Sequence, residues 1–298
     1  MIWMILVKLI LALGLLAVFF TGFLLILNSH PLRYPVEDLP SRYGLNFSEV
    51  SFASTDGVQL KGWFLTGSAG QKEETPRRPA IVLCHGLGAS KADFTGLASN
   101  LVQAGFHVLL FDFRAHGESD GFRTSFGYLE QRDLEGAIRF LKQRLDVYPE
   151  RIGAYGFSMG GAVVILTASK NKDIKAVVSD SAFTSLEDQI VRILTAFYHL
   201  PRIPFYSLTH RIYDLYFWTC IKAVSPVNAV TKLSPRPILL IAGQGDDRMT
   251  AIDAHRLYEA AVQPKDLWVV PGAGHGETLA SAGQTYPDRI VDFFKRAL

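Results

Sequence analysis

Residues 156–160 read Gly156-Phe157-Ser158-Met159-Gly160, a serine with glycine two positions to either side. The run before it, 152–155, is strand-like, and the run after it, 160–169, repeats small and apolar residues with helical spacing. On such a sharp strand-to-helix turn a serine hydroxyl is thrust above the sheet, and the small flanking residues let the turn close. The blander alternative is a serine that only caps the helix after a glycine-rich loop. As a nucleophile, Ser158 needs an imidazole to take its proton during attack. His275, in Pro271-Gly272-Ala273-Gly274-His275-Gly276 after the last strand-like run, is a candidate, whereas His255 on a predicted helix and His210 read as surface or packing residues. The imidazole in turn needs a carboxylate to hold its tautomer. Asp246 and Asp247 both follow the run 238–241, in Gly243-Gln244-Gly245-Asp246-Asp247. The chain order serine, aspartate, histidine is one that such chemistry uses, and the N–H of Met159, next to the serine, is placed to steady a developing oxyanion.

The elements that must position these groups alternate. Strand-like runs lie at 49–53, 58–65, 80–84, 108–111, 152–155, 176–179, 238–241 and 267–270. Helical periodicity marks 94–104, 129–145, 160–169, 252–262 and 285–297. Continuous apolar strands alternating with helices predict an α/β fold, a mostly parallel eight-stranded sheet covered on both faces, entered through an antiparallel hairpin. Residues 71–79 read as a charged surface loop. The alternation lapses at about 182–233, where Phe183, Phe197, Tyr198, Phe205, Tyr206 and Trp218 stand among other large rings. This reads as a helical cap insertion whose aromatics line a pocket, fill the cap-to-core interface, or do both.

The amino terminus is of another kind. From Leu9 to Leu27 every residue is apolar or small except Thr21, which is long enough to cross a bilayer as a helix. Lys8 near its start can snorkel to the headgroups. The run exceeds the apolar core of a secretory signal and ends in Leu25-Ile26-Leu27-Asn28-Ser29-His30-Pro31 without an Ala-x-Ala-like site, so it reads as an uncleaved single-pass transmembrane anchor. Positive charge flanks it evenly, Lys8 and the amino group against Arg33 and Arg42, with Glu37 and Asp38 counting little. The expected layout is an anchor at 1–29, a linker at 30–46, and a catalytic domain at 47–298.

Composition narrows the partners. Thirty Lys and Arg against 28 Asp and Glu in 298 residues give a net charge of +2, too small and too evenly spread for a nucleic-acid surface. Cys84 and Cys220 show neither metal-ligand nor disulfide-framework spacing, and no phosphate-cradling loop motif occurs. No metal or organic cofactor is expected.

These motifs together resemble the α/β-hydrolases, in particular the membrane-anchored single-domain hydrolases of the Bem46-like kind, with serine aminopeptidase-like and lysophospholipase-like proteins as neighbours. The resemblance spans roughly residues 47–298. It implies His275 as general base and Asp246, rather than Asp247, as the acid. It also implies a second oxyanion donor, the N–H of Leu87 in His85-Gly86-Leu87-Gly88, with His85 shaping that turn. Asp112-Phe113-Arg114-Ala115-His116-Gly117-Glu118-Ser119 resembles a family stretch that braces the site loops, with Ala115 where the family has glycine. The implied activity is a serine hydrolase acting on a carboxylic ester or related acyl bond; the aromatic cap together with the anchor suggests a small-molecule or lipid-like acyl substrate. A thioesterase or depalmitoylase, a peptidase, and a non-catalytic scaffold of the same fold are the alternatives.

Overall fold

The computed structural model describes residues 1–34, 38–67 and 77–298. Glu37 and most of the charged loop expected at 71–79 lie outside them. The chain begins with α1 (Ile2–Ser29), then builds β1 (Phe47–Ala53), β2 (Gln59–Leu65), β3 (Arg78–Cys84), α2 (Thr95–Gln103) and β4 (His107–Phe111). Next come α3 (Glu130–Lys142), β5 (Val147–Phe157), α4 (Met159–Ala168) and β6 (Ile174–Asp180). The remainder is α5 (Leu186–Arg192), α6 (Arg202–Phe217), α7 (Pro226–Ala229), β7 (Ile238–Gly243), α8 (Ala251–Ala260), β8 (Lys265–Val270), α9 (Thr278–Ala282) and α10 (Thr285–Ala297). The strands form one eight-stranded sheet in the order β1-β2-β4-β3-β5-β6-β7-β8. β1 and β2 form an antiparallel hairpin, β2 runs antiparallel to β4, and every later pairing is parallel.

Successive strand residues face opposite sides, and both sides are buried. From β3, Val82 and Cys84 join a core that includes α3, α4 and the cap, while Ile81 and Leu83 join a second core with α2 and α10. A strand covered on both faces reads as a nearly continuous apolar run, as β4 does from Val108 to Phe111; all of it is buried, and the ring of its first residue, His107, is hydrogen-bonded. α4 is buried along its whole length because it lies between the sheet and the helices of the 181–233 segment.

The structure departs from the sequence expectations at edges and in short elements. β5 starts at Val147, well before the predicted 152, and its first residues pair with Arg78 across a register irregularity, so Pro149 and the charged pair beside it hide the strand pattern. α3 stops at Lys142 instead of 145. α7 and α9, of 4 and 5 residues, are too short to show a helical period. The aromatic segment contains α5, a π-helical turn at Ile193–Phe197, and α6.

The stretch after β4 is a buried ionic knot. Lys91, 1% exposed, sends its ammonium to Asp112 Oδ2 and Glu118 Oε2, both at 2.6 Å, while its N–H donates to Asp112 Oδ1 at 2.7 Å. Arg114 forks onto Asp133 and Asp56. Burial alone would raise the Asp56 carboxyl, but the Arg114 and Arg132 guanidiniums and the Ser54 hydroxyl outweigh it and hold Asp56 well below the usual carboxylate range. Buried charges persist only when paired and hydrogen-bonded, so this knot locks the β3 and β4 loops to each other. Ala115 adopts φ 61° within it, the left-handed region that glycine favours. Gly117, at φ 44°, lies against Asp112, and a Cβ there would overlap the carboxylate. Gly117→Ala is therefore expected to lower unfolding stability by about 2–4 kcal/mol. Denaturant titration checks this, and a change below about 0.5 kcal/mol would show that the knot tolerates displacement of Asp112.

Candidate active site

Ser158 occupies the junction between β5 and α4 with φ 54° and ψ −117°, a conformation costing an L-residue on the order of 1–3 kcal/mol. Two backbone bonds hold it, Ser158 N–H to Asp180 O at 2.8 Å and Ala162 N–H to Ser158 O at 3.1 Å. The flanking glycines permit close approach. A Cβ on Gly156 would overlap the Gly160 carbonyl, and one on Gly160 would overlap those of Cys84 and His85. Although Ser158 sits at the N-cap position of α4, its hydroxyl makes no capping bond. Ser158 Oγ lies 3.2 Å from His275 Nε2.

His275 Nδ1 lies 2.8 Å from Asp246 Oδ2. Asp246 is buried, and its other oxygen accepts the N–H groups of Arg248 and Met249 at 2.9 and 2.8 Å. Burial alone would raise this carboxyl, but the His275 hydrogen bond and those N–H donors outweigh it and hold Asp246 below the ordinary carboxylate range. The adjacent Asp247 is exposed at the rim of the cavity. The loops that carry Asp246 and His275 are joined by backbone bonds, Gln244 N–H to Val270 O and Gly245 N–H to Ala273 O. Phe157 lies beside the imidazole, with ring centres 5.0 Å apart. A hydroxyl, an imidazole and an ionised carboxylate linked in series can move a proton off the hydroxyl as it attacks and return it to a leaving group.

Leu87 and Met159 line the same cavity as Ser158. Met159 opens α4, so its N–H has no carbonyl to bind within its own helix. His85 Nδ1 lies 2.7 Å from Gly86 O, and its Nε2 accepts the Phe113 N–H at 2.9 Å, pinning the β3 loop to the β4 loop. His255 is exposed on α8, and His210 on α6 faces Asp214 at 3.3 Å. The fold brings His210, Asp214 and Cys220 within 4.8 Å of one another, a grouping their sequence spacing does not suggest. None of them lines the Ser158 cavity.

Several contributors escaped the sequence reading. Asp180, buried at the end of β6, accepts the hydroxyls of Thr278 and Tyr286 at 2.8 and 2.6 Å, which ties the segment after His275 to the strand behind Ser158. Desolvation raises its carboxyl above the ordinary value despite those donors. Arg192 of α5 donates to Arg248 O and Asp253, fastening the cap segment to the loop that bears Asp246. Glu130 gathers Thr124, Ser125 and Gly127 and so sets the loop that puts Phe126 into the cavity wall. The cavity itself encloses 560 Å³, within the ~300–1,000 Å³ of small-molecule sites. Of the aromatic residues at 182–233, Phe183, Phe197 and Tyr198 line it, Tyr213 and Phe217 pack in the core, and Trp218 is exposed. The last turns of α1 also reach it, through Thr21, Leu24, Leu25 and Asn28. Only the interruptions Thr21 and Asn28 in an apolar run could have signalled that contact.

Burial, reinforced by the neighbouring His116, pushes the His85 imidazole well below its usual range. The unfolded chain takes up this proton near about pH 6.5, where the folded chain leaves the ring neutral. Stability from this source is therefore complete above that pH and is lost as pH falls, by up to about 1.4 kcal/mol per pH unit. Denaturant titrations between about pH 7 and pH 5 should give wild type a steeper loss than His85→Gln, and parallel slopes would contradict the assignment. Tyr286→Phe strips a donor from buried Asp180 and is expected to cost about 1–3 kcal/mol in the same measurement.

The sequence model of the alpha/beta hydrolase fold matches residues 79–211. The uncharacterized protein Rv2307c of Mycobacterium tuberculosis is 32% identical over 245 residues, covering 82% of this chain and 78% of that protein. The uncharacterized protein YfhR of Escherichia coli K12 is 27% identical over 268 residues, covering 89% of this chain and 86% of its own. Among solved structures, the esterase Pf2001 of Pyrococcus furiosus superposes with a TM-score of 0.73 at 27% identity, over 90% of this chain and 98% of that one. With the sheet order, the serine turn and these relatives agreeing, the chain belongs to the α/β-hydrolase family.

Proposed function

We propose that this hydrolase is a membrane-anchored serine esterase that works through an acyl-enzyme on Ser158. The observation that carries the reading is the continuous chain Ser158 Oγ to His275 Nε2 at 3.2 Å and His275 Nδ1 to Asp246 Oδ2 at 2.8 Å. Ser158 Oγ attacks the acyl carbonyl carbon while His275 Nε2 takes the hydroxyl proton, and Asp246 holds the ring and stabilises the imidazolium. The N–H groups of Leu87 and Met159 receive the oxyanion, each such donor being worth about 3–4 kcal/mol in related chemistry. Collapse breaks the bond to the leaving alcohol, which departs with the proton from His275. Water, activated by the same imidazole, then releases the acid and restores Ser158.

An ester is favoured as the bond cleaved because the structural relative Pf2001 is named an esterase. The apolar walls of the cavity, with Leu186, Ile190, Leu194 and Met249 among them, suit an acyl chain. The anchor is the segment 1–29: α1 is long and apolar enough to cross a bilayer, and most of it is exposed. A linker at 30–46 leads to the catalytic domain at 47–298, whose segment 182–233 serves as the cap.

Purified full-length protein is expected to react with a fluorophosphonate at Ser158 and to hydrolyse a short p-nitrophenyl ester. Ser158→Ala should abolish both, and His275→Ala and Asp246→Asn should lower kcat by roughly 10³–10⁴-fold. Asp247→Asn should change it by less than about tenfold. A folded protein that is unlabelled at Ser158 would end the hydrolase reading. Loss of the chain from membranes under alkaline extraction would end the anchor assignment.

A further inference from the structure

We propose that the final turns of α1 are a substrate-binding element: Thr21, Leu24, Leu25 and Asn28 form one wall of the site in which the acyl chain of a long-chain ester lies. The inference rests on the esterase reading above and adds to it the part of the substrate that an apparent anchor recognises.

Burial divides α1 sharply. No residue before Thr21 is buried, whereas Thr21, Leu24, Leu25 and Ser29 are, three of them within the stretch that meets the cavity. Length leaves room for this division. Twenty-eight residues at 1.5 Å each span about 42 Å, against about 30 Å of hydrocarbon, so the carboxyl-terminal turns need not all lie within it. This end is held by protein contacts. Asn28 Nδ2 donates to the Tyr198 hydroxyl at 3.1 Å, and Phe20 meets Phe205 of α6 edge to face at 6.4 Å. Cap and helix end thus form one wall, continuous with Ser158 and His275.

The test uses the full chain in detergent micelles. A fluorophosphonate with a long alkyl chain ending in a diazirine is first attached to Ser158 of wild type and then photolysed. Crosslinks to residues 17–29 are expected; labelling of Ser158 with crosslinks confined to the cap overturns this inference while leaving the esterase reading intact, and no labelling at Ser158 removes both. Leu24→Trp should lower the ratio of kcat/KM for a dodecanoyl ester over an acetyl ester by about tenfold or more. Phe23→Trp and Ile26→Trp, on the exposed side of the same turns at 53% and 50% exposure, should leave the ratio unchanged. An unchanged ratio in Leu24→Trp, or an equal fall in all three variants, counts against the wall.

Discussion

Everything at the site depends on the backbone of Ser158 being held at a positive φ between a strand and a helix. Had the residue adopted an ordinary N-cap conformation, its hydroxyl would bind the first turn of α4, as cap serines do, and would not face His275 Nε2. The unfavourable conformation is sustained because Ile152–Gly156 of β5 and all of α4 are buried, the serine N–H is bonded to Asp180 O, and Gly156 and Gly160 let carbonyls approach where a side chain would not fit. The strain is local, and the parallel sheet on either side supplies the rigidity that maintains it.

A second layer of buried polar groups aligns the loops that carry the other members. Asp180 reaches forward to Thr278 and Tyr286, Arg192 reaches from the cap to the loop of Asp246, and Lys91 and Arg114 fasten the loops after β3 and β4. Each of these charges would be costly without a partner in a low-dielectric interior. Loops so tied cannot drift far, which is what keeps the distances between Ser158, His275 and Asp246 within hydrogen-bond reach. The cavity next to them is apolar for the most part and lined on one side by α1, so a helix that is exposed over most of its length also touches this cavity.

The family and its architecture were legible because their signals are local. Alternating strand and helix periods, the glycines around Ser158, and each single motif between His85 and His275 require only a short window of chain. The Asp246 and Asp247 pair shows where that legibility ends: both lie in one turn, and only the backbone path, with Arg248 and Met249 N–H groups gripping one carboxylate, turns Asp246 inward and leaves Asp247 at the rim. The aromatic residues of the cap behave likewise, since ring content does not reveal that Phe183 and Tyr198 face the cavity while Tyr213 lies in the core.

By itself, then, the amino-acid order determined the sheet-and-helix alternation, the glycine-flanked serine, the small set of candidate partners for it, and the apolar helix at the start. Tertiary structure decided which candidates meet, that Asp180 and Glu130 brace the site from behind, and that the end of α1 joins the cavity through a contact such as Asn28 with Tyr198, 170 positions apart. The reason is physical: periodicity records which face of an element avoids water, but the identity of the surface that covers that face is settled only when the whole chain packs.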